Sequence, residues 1–244
     1  MSLLITFLLG IFFLLGAVVI KLAKNSEWIE QLSVSLAFGS MTALVILELL
    51  PDIINEFARK HMITSLAAVI LGIAGLKILD LFIPDHDGDL ENATKDHHDN
   101  MVHIGIISAI AIILHNTVEG MTVYSVTLES LRQGALLSLG VGLHNIPMGM
   151  LIYSSLEKER QGKRYLILSL ASLSTFFGGL LMTLISPWLN EFFIGFLISV
   201  ALGMILYIIF FELIPDLLRR KHWRLSAVGI VCGVLILVAG TLLE

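Results

Sequence analysis

Apolar positions in this chain come in long runs, neither alternating as in strands nor striping one face of a soluble helix. Eight runs stand out, at about 3–20, 33–50, 63–83, 103–126, 132–154, 165–186, 192–214 and 225–243. A helix needs roughly 20 apolar residues to cross the hydrocarbon core of a bilayer, so each run predicts one spanning helix. The connectors are short except at 84–103. The pattern therefore predicts an all-α polytopic membrane protein, with residues 1–244 forming a single domain of eight transmembrane helices.

Composition strengthens this picture. Apolar residues make up 57% of the 244 and charged residues 14%, with a mean hydropathy of +0.91. A soluble domain carries about 25% charged residues, so too little polar surface exists to cover a water-soluble globule. The net charge of -5 says little, because the acids cluster in one loop, but nothing in the chain resembles a basic nucleic-acid surface; the partners implied are the lipid bilayer and whatever crosses it. The single cysteine, Cys232, forms no intrachain disulfide. The opening MSLLITFLLGIFFLLGAVVIKL has no basic start and no small-residue cleavage site, and reads as a retained first span.

Lys and Arg collect on the cytoplasmic side of membrane proteins. With the N-terminus outside, the cytoplasmic side receives Lys21, Lys24, Lys77, Lys95, Lys158, Arg160, Lys163, Arg164, Arg219, Arg220, Lys221 and Arg224, which is twelve. Arg59, Lys60 and Arg132 remain outside, which is three. The expected topology has both termini outside and the 84–103 loop in the cytoplasm.

Two internal echoes organise the eight runs. FGSMTALVILELLPD (38–52) matches LGMILYIIFFELIPD (202–216), pairing Gly39 with Gly203, Glu48 with Glu212, Pro51 with Pro215 and Asp52 with Asp216. The copies lie five spans apart and so run in opposite directions, the mark of the inverted repeats of secondary transporters. LHNTVEGM (114–121) matches LHNIPMGM (143–150) in the neighbouring spans 4 and 5. A pseudo-twofold relating spans 1–3 to 6–8, with 4 and 5 as a central pair, satisfies both echoes.

The second echo carries the chemistry. His115 and His144 each fall about 12 residues into their spans, near mid-bilayer at 1.5 Å rise per residue. Ionisable groups at that depth are costly and face the bundle interior or a functional site. Glu119 and Met148 each follow their histidine by four residues, on the same helix face. Two imidazoles, a carboxylate and a thioether suit Zn²⁺, Fe²⁺, Co²⁺ or Cd²⁺ better than the oxygen-seeking Mg²⁺ or Ca²⁺. Asn116 and Asn145 add amide oxygens, and Pro147 frees the Leu143 carbonyl of its helical partner. A lone histidine in an apolar helix is usually a packing residue; two His-Asn pairs at matching depth favour the metal reading. Met148 alone is more often core filler, and Glu48 and Glu212 serve equally as interhelical hydrogen-bond partners.

The two motifs, taken with eight spans and a His-rich loop between spans 3 and 4, resemble the ZIP (Zrt-, Irt-like protein) metal transporters over the whole chain. The family's span-4 motif His-Asn-x-x-Glu-Gly stands here as His115, Asn116, Thr117, Val118, Glu119 and Gly120. The span-5 motif His-Asn-x-Pro-Glu-Gly of prokaryotic members stands as His144, Asn145, Ile146, Pro147, Met148 and Gly149, with Met148 in place of the glutamate. The resemblance implies uptake of a divalent transition metal such as zinc (Fe, Mn, Co or Cd being alternatives) across the plasma membrane into the cytoplasm. It also implies homodimer formation, with the metal as substrate and no cofactor. Without a glutamate at 148 or an acidic residue in span 6, it implies one metal rather than two.

Outside this centre, Glu48, Asp52, Glu212 and Asp216 are candidate pathway carboxylates at the two mouths, which would raise local cation concentration. His86, His97, His98 and His103 in the acidic 84–103 loop are candidates for weak metal capture, against a plain solvated and disordered loop. An intramembrane metal-dependent hydrolase would need an open metal position and a general base, and the chain has no His-Glu-x-x-His motif. A metal sensor without flux would lack any sizeable soluble domain through which to signal.

Overall fold

The computed structural model describes residues 1–23, 27–81, 93–157, 159–185, 191–220 and 222–242. Eight helices among them are long and apolar enough to cross a membrane. They are α1 (Ser2–Leu22), α2 (Trp28–Asn55), α3 (Arg59–Asp80), α4 (Val102–Leu128), α5 (Leu131–Ser155), α6 (Gln161–Ile185), α7 (Phe192–Arg219) and α8 (Trp223–Thr241). No strand occurs among the described residues.

Several helices outrun their apolar runs. The segment that includes α4 begins at Ala93, inside the stretch whose Asp, His and Asn residues suggested a loop extending to 103. Helix α2 passes through Pro51, and α7 passes through Pro215, without stopping. Each proline removes one backbone donor, and each is preceded by a π-helical stretch, Val45–Leu49 and Ile208–Leu213. The wider turn accommodates the lost i to i−4 bond, and π segments of this kind are frequent at functional sites. Glu48 lies in the first and Glu212 in the second.

Packing obeys the pseudo-twofold. Helix α1 packs on α5 and α6, and α4 on α6 and α5, forming one four-helix group. Helix α2 packs on α8, and α3 on α7, forming another. The strongest contacts come as symmetry mates: α1–α5 with α6–α4, and α2–α8 with α7–α3. Between helices in a bilayer, small residues allow close backbone approach. A Cβ on Gly39 would collide with the carbonyl of Ile230 on α8, and one on its mate Gly203 with the carbonyl of Val69 on α3. The two groups meet where α5 touches α2 and α8, and where α4 touches α7.

Candidate metal centre

His115 and Glu119 on α4 and His144 on α5 come together in the interior of the bundle, His115 being 3% and His144 1% exposed. Both imidazoles bring Nε2 close to one oxygen. His115 Nε2 lies 2.7 Å from Glu119 Oε1, and His144 Nε2 hydrogen-bonds the same atom at 2.8 Å. One ligand atom from each of the three residues lies within 4.8 Å of the others. The glycines that close the two motifs allow this burial. Gly120 meets the backbone of Thr175 on α6, and Gly149 meets the backbone of Phe13 on α1.

The arrangement retains unused donor capacity. Glu119 Oε2, Asn116 Oδ1 and both amide atoms of Asn145 are buried without a hydrogen-bond partner among the described residues. A polar atom left so costs free energy, unless something else, such as a cation, takes up the oxygens. Asn116 Nδ2 reaches the Ala171 carbonyl at 3.5 Å. Met148, one turn beyond His144, is fully buried within the apolar core.

A cavity of about 310 Å³ reaches His115 and Glu119 from one end of the bundle. Its walls include Leu44, Glu48 and Asp52 of α2, Leu137 of α5, Ile198 of α7 and Thr241 of α8. Two of the four candidate mouth carboxylates therefore share a space with the central cluster. Glu48 also accepts a hydrogen bond from Thr241 Oγ1 at 3.0 Å, so it is an interhelical partner as well.

Their repeat mates, toward the basic end of the bundle, sit differently. Asp216 is 1% exposed and held by Arg220 Nε at 2.6 Å, while Arg220 also reaches Glu30 at 2.9 Å. Glu212 is buried and lies 3.9 Å from His103 Nε2, which itself lies 2.6 Å from Asp80 Oδ1. Tyr207 Oη donates to Asp80 Oδ2 at 2.8 Å. His103 is thus a buried residue of α4 rather than a loop residue, and with Asp80 and Glu212 it forms a second trio able to hold a metal ion. His86 lies outside the described residues. His97 and His98 fall in the helical segment that begins at Ala93.

Sequence reasoning missed Asp80, Tyr207, Arg220 and Glu30. Glu30, Asp80 and Arg220 lie at helix ends, where charge ordinarily marks the membrane boundary, and Tyr207 stands among the apolar residues of mid-α7. Only the packing of α3, α4 and α7 brings Asp80 to His103.

Residues 84–240 match the family model described as ZIP Zinc transporter. The chain belongs to the ZIP zinc transporter family. Similar proteins include the zinc transporter ZupT of Clostridium perfringens (strain 13 / Type A), 26% identical over 282 residues that cover 100% of this chain and 95% of that one. The zinc transporter ZupT of Stenotrophomonas maltophilia (strain R551-3) is 26% identical over 247 residues, covering 96% and 91%. That of Corynebacterium aurimucosum is 23% identical over 234 residues, covering 91% and 88%. This ZIP protein is a multi-pass membrane transporter of metal ions, and the hydrolase alternative falls away. Its central trio coincides with the two motifs that carried the resemblance.

Proposed function

We propose that this ZIP transporter carries zinc, one ion at a time, across the plasma membrane into the cytoplasm through the His115, Glu119 and His144 site. The observation that carries this reading is the convergence of two imidazole nitrogens and one carboxylate oxygen, buried at the inner end of a carboxylate-bearing cavity. Nitrogen and oxygen donors in that ratio favour zinc and its borderline neighbours over Mg²⁺ or Ca²⁺. The orphaned amide oxygens of Asn116 and Asn145 stand next to these ligands in the chain, the Met148 thioether lies one turn beyond His144, and these would complete the shell. The zinc named in the relatives' descriptions agrees with that donor set.

Charge and shape together support inward transport. The twelve-to-three split of Lys and Arg puts the basic end in the cytoplasm and both termini outside. The cavity then faces outward, with Glu48 and Asp52 attracting the cation before it reaches His115. On release, Asp80, His103 and Glu212 would receive it on the cytoplasmic side. A single carboxylate at the centre supports one ion rather than two.

Purified protein in proteoliposomes, offered Zn²⁺, Cd²⁺, Mn²⁺, Fe²⁺, Co²⁺ and Mg²⁺ in turn, tests the reading. Zinc accumulation with Mg²⁺ excluded is expected. Flux of Mg²⁺ matching that of Zn²⁺ would sink the donor-set argument.

A further inference from the structure

A second cavity, of about 530 Å³, lies at the basic end and shares no lining residue with the metal pathway. Its lining is Trp28 at the start of α2 and His222, Trp223, Arg224 and Leu225 at the start of α8. Trp28 is 55% and Trp223 70% exposed. These are two of the chain's three tryptophans, and they stand at one level on two adjacent helices. Tryptophan collects at the headgroup level of a bilayer, where an amphipathic ring is wet on one side and apolar on the other.

The connector beside this cavity is densely basic, with Arg219, Arg220, Lys221 and Arg224 within six residues. These arginines do different work. Arg220 is buried and turned inward onto Asp216 and Glu30. Arg219 and Arg224 are exposed. The Arg224 guanidinium lies over the Trp223 ring, 5.6 Å from its centroid, at the wall of the cavity.

The cavity is also held in shape. Gln31, 3% exposed, donates through Nε2 to the His222 carbonyl at 2.7 Å and to Ser226 Oγ at 2.8 Å. That pair of bonds fixes the start of α2 against the start of α8, and with it the spacing of the two tryptophans.

We propose that the cavity between Trp28 and Trp223 binds the headgroup of an anionic phospholipid, with Arg224 on its phosphodiester. A guanidinium presents paired donors to phosphate oxygens, and the indole faces suit the glycerol and upper acyl region beneath. Basic pockets between transmembrane helices take acidic headgroups in this way. A zwitterionic headgroup brings its own cation to Arg224 and gains no net attraction. The exposed Arg219 adds long-range attraction of the same sign. The site is independent of the transport reading, since it requires only that the chain sit in a membrane.

The full chain, purified in detergent, is titrated with phosphatidylglycerol and with phosphatidylcholine, and bound lipid is counted by native mass spectrometry. The expected result is one phosphatidylglycerol held per chain in preference to phosphatidylcholine. Arg224→Gln should weaken that binding about fivefold, the loss that one basic residue near an anionic surface represents. Arg132→Gln, at the other end of the bundle, should leave it unchanged. A brominated phosphatidylglycerol gives a second readout. It should quench tryptophan fluorescence in the parent, and less so in Trp28→Leu, a variant whose altered side chain is already exposed. Equal retention of both lipids, or equal loss with Arg132→Gln, would overturn the proposal. Displacement of the lipid by millimolar inorganic phosphate would also overturn it, making the cavity a site for soluble phosphate instead.

Discussion

At the residue scale, Glu119 bears the most weight, because two imidazoles share one of its oxygens. Replacing it with Gln keeps the volume and removes both the charge and the anionic ligand. Loss of an outer-shell partner alone costs a metal site 10–100-fold in affinity, and a direct ligand should cost at least that. Glu119→Gln and His115→Ala are therefore expected to abolish zinc flux in proteoliposomes while eluting as folded protein. Parent-rate transport by both would remove this site from the mechanism. Met148→Glu tests the one departure from the family motif. The trio gives a dication one negative charge, which leaves about one uncompensated positive charge where desolvation is costly. A second carboxylate at 148, one turn beyond His144, should tighten Zn²⁺ and Mn²⁺ and weaken any bias toward Cd²⁺, as read by calorimetry. Unchanged affinity and metal order would return Met148 to the apolar core in which it is buried.

These residues were legible in the sequence because a four-residue spacing on one helix is itself a spatial statement. His115 and Glu119 share a face of α4 wherever that helix packs, and the matching motif marks α5 as its partner. Asp80 was not legible, because its neighbours are 23 and 127 residues away, at His103 and Tyr207. His103 was misplaced for a related reason. Its surroundings from Asp96 to Asn100 are polar enough to suggest a loop, yet the chain is already helical there. The other three histidines of the 84–103 stretch carry a prediction of their own. Replacing His86, His97 and His98 with Ser should leave flux largely intact, since the pathway lies within the membrane-spanning segments. Complete loss in a correctly inserted protein would make the loop part of the route.

At the element scale, the span count followed from apolar runs, whereas the helix ends did not. The apolar runs end at 50 and 214, just before Pro51 and Pro215, and the chain passes both prolines by way of π turns. Which helix neighbours which was legible only in part. The echoes gave the pseudo-twofold, but the division into α1, α4, α5, α6 against α2, α3, α7, α8 rests on close approaches at glycines that no sequence pattern ranked. Gly39 and Gly203 occupy mated positions, each against the backbone of a partner helix. Adding a methyl at either forces the helices apart, and overpacking of this kind costs typically 1–3 kcal/mol. Gly39→Ala and Gly203→Ala should each lower the thermal midpoint in detergent, and by similar amounts if the symmetry holds. Gly75→Ala is the contrast, since nothing stands within 4 Å of its Cβ position. There the gain in helix propensity, about 1 kcal/mol, should leave the midpoint unchanged or raise it. Equal losses at all three would mean that the glycines do not set the helix spacing.

At the scale of the whole molecule, symmetry in sequence meets asymmetry in environment. Glu48 and Glu212 are repeat mates, yet Glu48 lines a cavity leading to His115, whereas Glu212 is buried beside His103 and Asp80. Asp52 lines the same cavity, whereas Asp216 is closed onto Arg220. Two halves built on one plan should be able to exchange these environments, and an inverted repeat supplies two such states, one open at each mouth. This structure has its cavity on the Asp52 side. The His103 contact toward the basic end crosses between the two helix groups, for His103 belongs to α4 while Asp80 and Glu212 belong to α3 and α7. Removing the imidazole should therefore favour the other state. The test uses single cysteines, Glu48→Cys or Glu212→Cys, in a background carrying Cys232→Ser, and a membrane-impermeant maleimide. Glu48→Cys should label from the side of Asp52, and Glu212→Cys should resist labelling from the basic side. Adding His103→Ala should raise labelling of Glu212→Cys and slow that of Glu48→Cys, because both report one equilibrium. If Glu212→Cys gained reactivity while Glu48→Cys kept its own, His103 would be only a local plug, and the two mouths would open independently.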